Sequence, residues 1–205
     1  MATEHKDITD ANNHEPKGAS TALTRSLYVA DGAGSGAWTQ INRMGWHKYG
    51  DNATVSTPIA LTLAATDYEL TNDGLNSSLN NSTYRLSGVT NLWDTSSNRL
   101  SFTSLSLGDI VDWEIRLDFI VGTGNTELTF KTELGVGATP VTRTEVSGLN
   151  FIGTGTYPLI LRGRLFMEDT NSKDNPGRFL IQASKTGATV TVRDMTFTAI
   201  TRGGM

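Results

Sequence analysis

The sequence predicts an all-β protein, an antiparallel, jelly-roll-like β-sandwich preceded by an extended N-terminal arm. Glycine occurs 21 times in the 205 residues, at turn-like intervals, and helix-forming runs of Ala, Glu, Lys and Leu are missing. Between these turns lie short segments in which apolar and polar residues alternate. Such alternation is typical of antiparallel strands with one buried and one exposed face. The arm is predicted because the first 24 residues contain no periodic apolar pattern.

The clearest predicted strand covers residues 109–121. Its odd-numbered residues from Val111 to Val121 are apolar, whereas its even-numbered positions 112–118 are charged. A second alternating segment covers residues 127–136 and follows a glycine-containing turn at 122–125. Because a short turn joins the two segments, we expect them to pair as a long hairpin.

The remaining strands are less regular. Residues 53–63 predict a strand interrupted by Pro58, which places it at a sheet edge or a strand start. In the last strand Val190 and Val192 are in phase, but Met195 is one residue out of phase. This slip near Arg193 predicts a β-bulge or a change of sheet. With the strands at 157–167 and 179–183, about eight strands joined by short turns favour a jelly roll.

The strand at 157–167 has leucines on one face and Arg162 and Arg164 on the other. These arginines have two interpretations. They form a solvated face, or they pair with Asp112, Glu114 and Asp118 of a neighbouring strand or subunit, with each exposed pair contributing less than ~1 kcal/mol.

We expect two parts, an N-terminal arm with a glycine loop over residues 1–37 and the sandwich over residues 38–205. The arm is either a frayed terminus or an anchor that orders on another surface. An anchor is favoured because the segment carries specific polar chemistry rather than a plain Gly/Ser linker. The anchoring candidates are His5, Asp7, His14, Glu15, Pro16 and Lys17.

A glycine loop follows the arm. Its residues of interest are Asp31, Gly32, Gly34, Gly36 and Trp38. A phosphate-binding P-loop would end in Gly-Lys-Ser/Thr, whereas Ala37 and Trp38 follow the last glycine here. No helix-forming run follows either, which argues against a dinucleotide-binding turn.

Catalytic and metal-binding motifs are not evident. Cysteine is absent, and the three histidines, His5, His14 and His47, fall in no zinc-binding or triad motif. We therefore expect no catalytic residue, no metal and no cofactor. A net charge of −4 argues against direct nucleic-acid binding, and no apolar run approaches a membrane span. The first residues do not resemble a signal peptide, so we expect synthesis in a cytoplasm without export.

Three aromatic residues lie in less periodic regions, namely Trp46, Tyr49 and Trp93. Most aromatic residues belong to the core. The alternatives are a subunit interface or a platform that faces glycans.

Part of the N-terminal sequence resembles that of small structural proteins of tailed bacteriophages. The similarity covers residues 6–38 and is most specific at His14-Glu15-Pro16-Lys17-Gly18, Ala30-Asp31-Gly32 and Gly34-Ser35-Gly36-Ala37-Trp38. This family includes capsid decoration (cement) proteins and head-fibre proteins. The resemblance implies a homotrimer on the capsid exterior, whose arms bind the major capsid protein and whose β domains project outward.

Three functions remain open at this point. The first is a decoration protein that bridges capsomers and stabilises the head. The second is a host-adhesion head- or tail-fibre module that binds surface glycans. The third is a polysaccharide-degrading enzyme, which would need two carboxylates across a cleft.

Overall fold

The computed structural model describes residues 26–30, 36–40 and 44–201. The chain divides into two compact units between residues 43 and 44. In the first unit, β1 (Ser26–Ala30) pairs antiparallel with β2 (Gly36–Gln40). The predicted arm and residues 31–35 of the glycine loop lie outside the described residues.

The second unit is an antiparallel, jelly-roll-like β-sandwich, which confirms the predicted fold class. Its strands are β3 (Met44–Gly50), β4 (Ile59–Leu61), β5 (Tyr68–Glu69), β6 (Trp93–Asp94), β7 (Arg99–Leu100), β8 (Ile110–Val121), β9 (Thr126–Leu134), β10 (Val141–Phe151), β11 (Gly155–Phe166), β12 (Arg178–Ala183) and β13 (Ala188–Ile200), with two short helices, α1 (Ala53–Ser56) and α2 (Thr170–Asp174). One sheet has the order β10-β9-β12-β5. The other has the order β11-β8-β13-β3 with β4 also on β13, and β6 and β7 form a separate ribbon.

The predicted strand at 109–121 is confirmed, but the predicted hairpin is wrong. Burial alternates along β8 as the sequence indicates. However, β8 pairs with β11 and β13, whereas β9 pairs with β10 and β12 in the opposite sheet. The connection at 122–125 therefore crosses from one sheet to the other. A Cβ on Gly122 would lie 2.4 Å from the carbonyl oxygen of Gly187, and one on Gly124 would lie 2.5 Å from that of Ile152. These glycines allow neighbouring crossing loops to approach closely.

The β-bulge predicted near Arg193 is confirmed by a register shift between Val192 and Asp194. On the other side of β13, β4 pairs at 188–190 and β3 pairs at 194–200, which leaves a gap opposite the bulge. Helix α1 fills this gap, so the strand predicted over 53–63 is wrong for its first four residues. Its second part is confirmed, because β4 begins directly after Pro58 and pairs with β13. The hydroxyl of Thr54 accepts a hydrogen bond of 2.7 Å from the Val192 amide, which supplies the partner that a continuous strand would provide.

The core between the sheets is rich in aromatic rings. Phe179 lies near its centre, with ring centroids 5.1 Å from Trp113, 5.6 Å from Phe130 and 6.3 Å from Phe197. The side chain of Phe179 is fully buried, as is that of Trp93. Rings of this size contribute much of the apolar burial that stabilises a small sandwich.

Substitution of Gly163 by alanine is expected to destabilise the sandwich. A Cβ at this position would lie 2.4 Å from Cζ2 of Trp113, which is itself held against Phe130. Such overpacking typically costs about 1–3 kcal/mol. The urea midpoint measures the loss. Gly153→Ala is the matched control because its Cβ would meet only the Tyr157 hydroxyl at 3.3 Å. Equal midpoints for the two variants would contradict the packing described here.

The two sides of the sandwich differ in whether another segment covers their edge strands. The edge of β3 is covered, because the amides of Trp46 and Lys48 donate to the carbonyl oxygens of Tyr84 and Asn81 at 3.0 and 2.8 Å. On the opposite side, within the described residues, β10 pairs with β9 alone and β11 pairs with β8 alone. Exposed apolar residues along this open edge are Val141, Leu149, Ile152, Ile160 and Phe166. Long open edges of this kind are templates for association.

Candidate functional site

The structure describes only part of the N-terminal candidate set. His5, Asp7, His14, Glu15, Pro16 and Lys17 lie outside the described residues, as do Asp31, Gly32 and Gly34. Gly36 and Trp38 are described and belong to β2, where they pair with Ala30 and Tyr28. The rings of Trp38 and Tyr28 meet edge to face at 5.4 Å.

The three aromatic candidates of the sandwich have different environments. Trp93 has no exposed surface and stacks on Phe179 and Phe197, so an interface or glycan-facing role is wrong for this residue. Tyr49 is 5% exposed and packs against Phe197, which also places its ring in the core. Only Trp46 is partly exposed. The burial of each side chain distinguishes core from surface here. The irregular sequence around these residues does not indicate which of them are buried.

Trp46 lies at a groove on the outer face of the five-stranded sheet, the face that points away from the other sheet. This outer groove has a volume of about 670 Å³. The ring of Trp46 packs on Tyr84 with centroids 5.2 Å apart, which fixes its orientation. The other lining residues are Asp112, Trp113, Glu114, Arg116, Arg162, Gly163, Arg164, Thr196 and Thr198.

Ion pairs between β8 and β11 form the charged part of the outer groove. Nε of Arg164 donates to Asp112 at 2.5 Å, and Nε of Arg162 donates to Glu114 at 2.8 Å. Arg116 donates through its own Nε to the second oxygen of Glu114, at 2.9 Å. The predicted pairing of Arg162 and Arg164 with acids of a neighbouring strand is therefore confirmed. The alternative, a solvated face without ion pairs, is wrong.

The acids of the outer groove are held in their charged form. A hydrogen bond from Arg164 lowers the pKa of Asp112 against the opposing effect of partial burial. Burial acts to raise the pKa of Glu114, but hydrogen bonds from Arg162 and Arg116 outweigh it and lower this pKa. Both carboxylates are therefore ionised at neutral pH and serve to position the arginines.

The cations of this face lie closer to solvent than the acids do. The side chains of Arg162 and Arg116 are 68% and 51% exposed, whereas that of Glu114 is 23% exposed. Likewise, the side chain of Arg164 is more exposed than that of Asp112. A ligand that approaches the outer groove would therefore meet guanidinium groups first, although the chain as a whole has a net charge of −4.

A second concavity, the polar pocket, lies beside β3 and has a volume of about 370 Å³. Its lining is His47, Tyr49, Gly74, Asn80, Asn81, Ser82, Arg85, Asn91 and Thr95. The Tyr49 hydroxyl and His47 Nδ1 share a hydrogen bond of 2.8 Å. Burial raises the pKa of Tyr49 to about 12, so this phenol stays neutral at physiological pH.

Acidification is expected to destabilise the protein through His47. Burial, together with the nearby charge of Arg85, lowers the pKa of His47 from its ordinary value of 6.5. The unfolded chain then binds a proton that the folded chain does not. Stability is therefore complete above pH 6.5 and falls as the pH drops through this value toward the folded pKa.

The urea midpoint at about pH 7.5 and about pH 5.5 tests this prediction, since most carboxylates remain ionised over that range. We expect the midpoint of the natural sequence to fall on acidification and that of His47→Gln to fall less. The same pH dependence in both proteins would show that other groups carry the effect.

Within the parts of the chain that the structure describes, no group of three or more His, Asp or Glu residues is placed to hold a metal ion. The described helices are also too short to cross a membrane.

No protein-family model matches the chain, and no curated protein matches its sequence. Solved structures share parts of the fold. The chain is similar to a protein of the infectious bursal disease virus Gx strain, with a TM-score of 0.45, 10% identity, and coverage of 86% of this chain and 36% of that one. This chain therefore spans about a third of the length of that viral protein.

Two further structures come from other kinds of protein. The chain is similar to Eiger TNF from S. frugiperda, with a TM-score of 0.41, 6% identity, and coverage of 80% and 96% of the two chains. It is also similar to the CBM22-1 xylan-binding domain of Paenibacillus barcinonensis Xyn10C, with a TM-score of 0.38, 13% identity, and coverage of 51% and 65%. These low similarities assign no function, which must follow from the residues of this chain.

Proposed function

We propose that this chain is a virion structural protein, a decoration (cement) protein on the exterior of a bacteriophage head that catalyses no reaction. Its N-terminal segment binds the major capsid protein, and its sandwich projects from the shell. The division of the chain at residue 43 carries this proposal. The segment that resembles phage structural proteins, residues 6–38, lies within the first unit, and the sandwich is the second compact unit.

The sandwich has the properties that a displayed, passive domain needs. Its core is built from packed aromatic rings. Many of its charged side chains form ion pairs within the fold. Arg178, for example, donates to both Glu69 and Glu133 and so links three strands of one sheet. A network of this kind stabilises a rigid body more than isolated surface ion pairs do.

Self-association as a homotrimer is part of the proposal. The open edge formed by β10 and β11 is the surface that we assign to it, because the opposite edge is already covered by the segment around Asn81 and Tyr84. Three linked anchors would bind the shell far more tightly than one, because the second and third bind at a high effective concentration.

Light scattering tests the self-association. We expect the mass of three chains for the natural sequence and a lower mass for Leu149→Lys combined with Ile160→Lys, since both positions are exposed on the open edge. A monomeric natural chain would contradict this part of the proposal, while the anchoring role of the N-terminal segment would still stand.

Head stability tests the decoration function itself. DNA-filled heads of the phage whose major capsid protein the chain binds are prepared without the decoration protein. They are heated with and without added protein, and DNA release is followed with an intercalating dye. A decoration protein that bridges capsomers should raise the temperature of release in proportion to the bound amount. No change at saturating protein would contradict a stabilising role.

A second candidate function is host adhesion through glycans, and the outer groove favours it. The groove combines a half-exposed indole with hydroxyl and charged groups, which are the elements of a carbohydrate site. Binding of glycans by this surface should survive alanine substitution of His14, Glu15 and Lys17. Loss of glycan binding in that variant would argue against an independent site on the sandwich.

A further inference from the structure

We infer that the outer groove selects glycans that carry acidic groups, with Arg116 and Arg162 binding the acidic group and Trp46 packing against another sugar ring of the same glycan. This inference rests on the glycan-binding function proposed above. Acidic glycans are the class of ligand, and the two arginines distinguish them from neutral glycans.

The arrangement around Glu114 provides the anion-binding part of the site. This one carboxylate accepts from Nε of Arg116 and from Nε of Arg162, at 2.9 and 2.8 Å. Among the described residues these are the side-chain hydrogen bonds that the two arginines make, and both side chains are more than half exposed. A guanidinium group has five N–H donors and can bind a carboxylate or sulfate through two of them.

Glu114 also prepares the site for a ligand. Two free arginine side chains would lose considerable rotamer freedom on binding an anion. Here the carboxylate of Glu114 already holds both guanidinium groups at the groove. Part of this entropy loss therefore occurs on folding rather than on binding. The more exposed position of the arginines leaves them accessible in the folded protein.

Trp46 and the threonines provide the carbohydrate part of the site. Trp46 lies on β3, two strands from β8, which corresponds to about 10 Å across the sheet. Packing on Tyr84 holds the indole in place, and an aromatic face of this kind suits the apolar face of a sugar ring. Thr196 and Thr198 lie on β13 between the charges and the indole, where their hydroxyl groups can bond to those of a sugar.

Calorimetry with the full-length protein tests the inference. The probes are polygalacturonate for carboxylates, dextran sulfate for sulfates, neutral dextran of similar length, and polyglutamate as an acidic polymer without sugars. We expect the two acidic glycans to bind at least about tenfold more tightly than neutral dextran, with an affinity that falls as salt is added. Comparison of the first two probes shows which acidic group is preferred.

The variants locate the site. Arg162→Gln and Arg116→Gln should each weaken binding of the acidic glycans by about tenfold, and Trp46→Ala should weaken it by a similar factor. Arg162→Lys keeps the charge but loses the planar fork, so we expect an intermediate loss. Arg193→Gln is the matched control. Arg193 is 49% exposed and pairs with Asp118 on the same sheet, but it does not line the groove.

The outcomes separate this inference from the function on which it rests. Equal binding of neutral dextran would overturn the selectivity while leaving glycan binding in place. Equal binding of polyglutamate, unaffected by Trp46→Ala, would show simple charge attraction and overturn the glycan site. Binding of none of the probes would overturn both proposals.

Discussion

Replacement of Trp93 by alanine is expected to reduce the free energy of unfolding by about 3–5 kcal/mol, which is the usual cost of deleting a large buried aromatic side chain. The indole has no exposed surface and packs against both Phe179 and Phe197, with ring centroids 6.2 and 6.3 Å away. Its Nε1 also donates a hydrogen bond of 2.9 Å to the carbonyl oxygen of Asn72. The loss therefore combines a cavity with an unsatisfied backbone acceptor.

Equilibrium urea unfolding followed by far-UV circular dichroism measures this effect. Trp46→Ala is the matched control, because it removes the same ring from a half-buried position on the outer face. We expect the control to lose much less stability. A similar loss in both variants would contradict the assignment of Trp93 to the core and Trp46 to the surface.

Replacement of Asp51 by alanine is expected to reduce the free energy of unfolding by about 2–4 kcal/mol, because several donors in a buried cluster would lose their acceptor. Asp51 has no exposed surface. One of its oxygens accepts from the Thr54 amide at 2.7 Å and from the Thr54 hydroxyl, and the other accepts from the Asp73 amide at 2.8 Å. The carboxylate thus holds α1 in the gap beside the bulge of β13.

The same measurement with Thr54→Val separates the two parts of this cluster. Valine has nearly the shape of threonine but cannot accept from the Val192 amide. We expect Thr54→Val to lose about 1–3 kcal/mol, less than Asp51→Ala. A stable Asp51→Ala variant would show that the helix is held by other contacts.

The strand pattern of the sandwich could be predicted from the sequence, because burial on one face requires alternation with a period of two. This rule identified β8 and its buried face, and the change of phase near Arg193 identified the bulge. It could not identify the partner of each strand. Gly122 and Gly124 are compatible with a hairpin turn and with a crossing loop, and only packing against Gly187 and Ile152 distinguishes the two.

The residues of the candidate site depend on strand register and on burial, which the alternation pattern does not contain. The pattern placed Arg162 and Arg164 on one face of a strand, and it left open whether acids lie beside them. Register decides this question, since Arg162 pairs opposite Glu114 and Arg164 opposite Asp112. Trp93 lies outside any long alternating segment, so no periodic pattern indicates that the ribbon of β6 and β7 covers the core.

The short strand β4 shows a third limit. A single strand was expected over 53–63, with Pro58 as an interruption. The first four residues instead form α1, because the interrupted edge of β13 needs a side-chain partner at Val192 and Thr54 supplies it. Local propensity is weaker than such a tertiary requirement.

In the proposed function, the N-terminal segment binds the capsid and the sandwich does not. Co-sedimentation with undecorated phage heads tests it most directly, using the natural chain, a variant with alanine at His14, Glu15 and Lys17, and a control with alanine at Asp67 and Lys131, an ion pair of the sandwich surface. We expect the natural chain and the control to sediment with the heads and the triple variant to remain in solution. Binding of all three proteins, or of none, would contradict it.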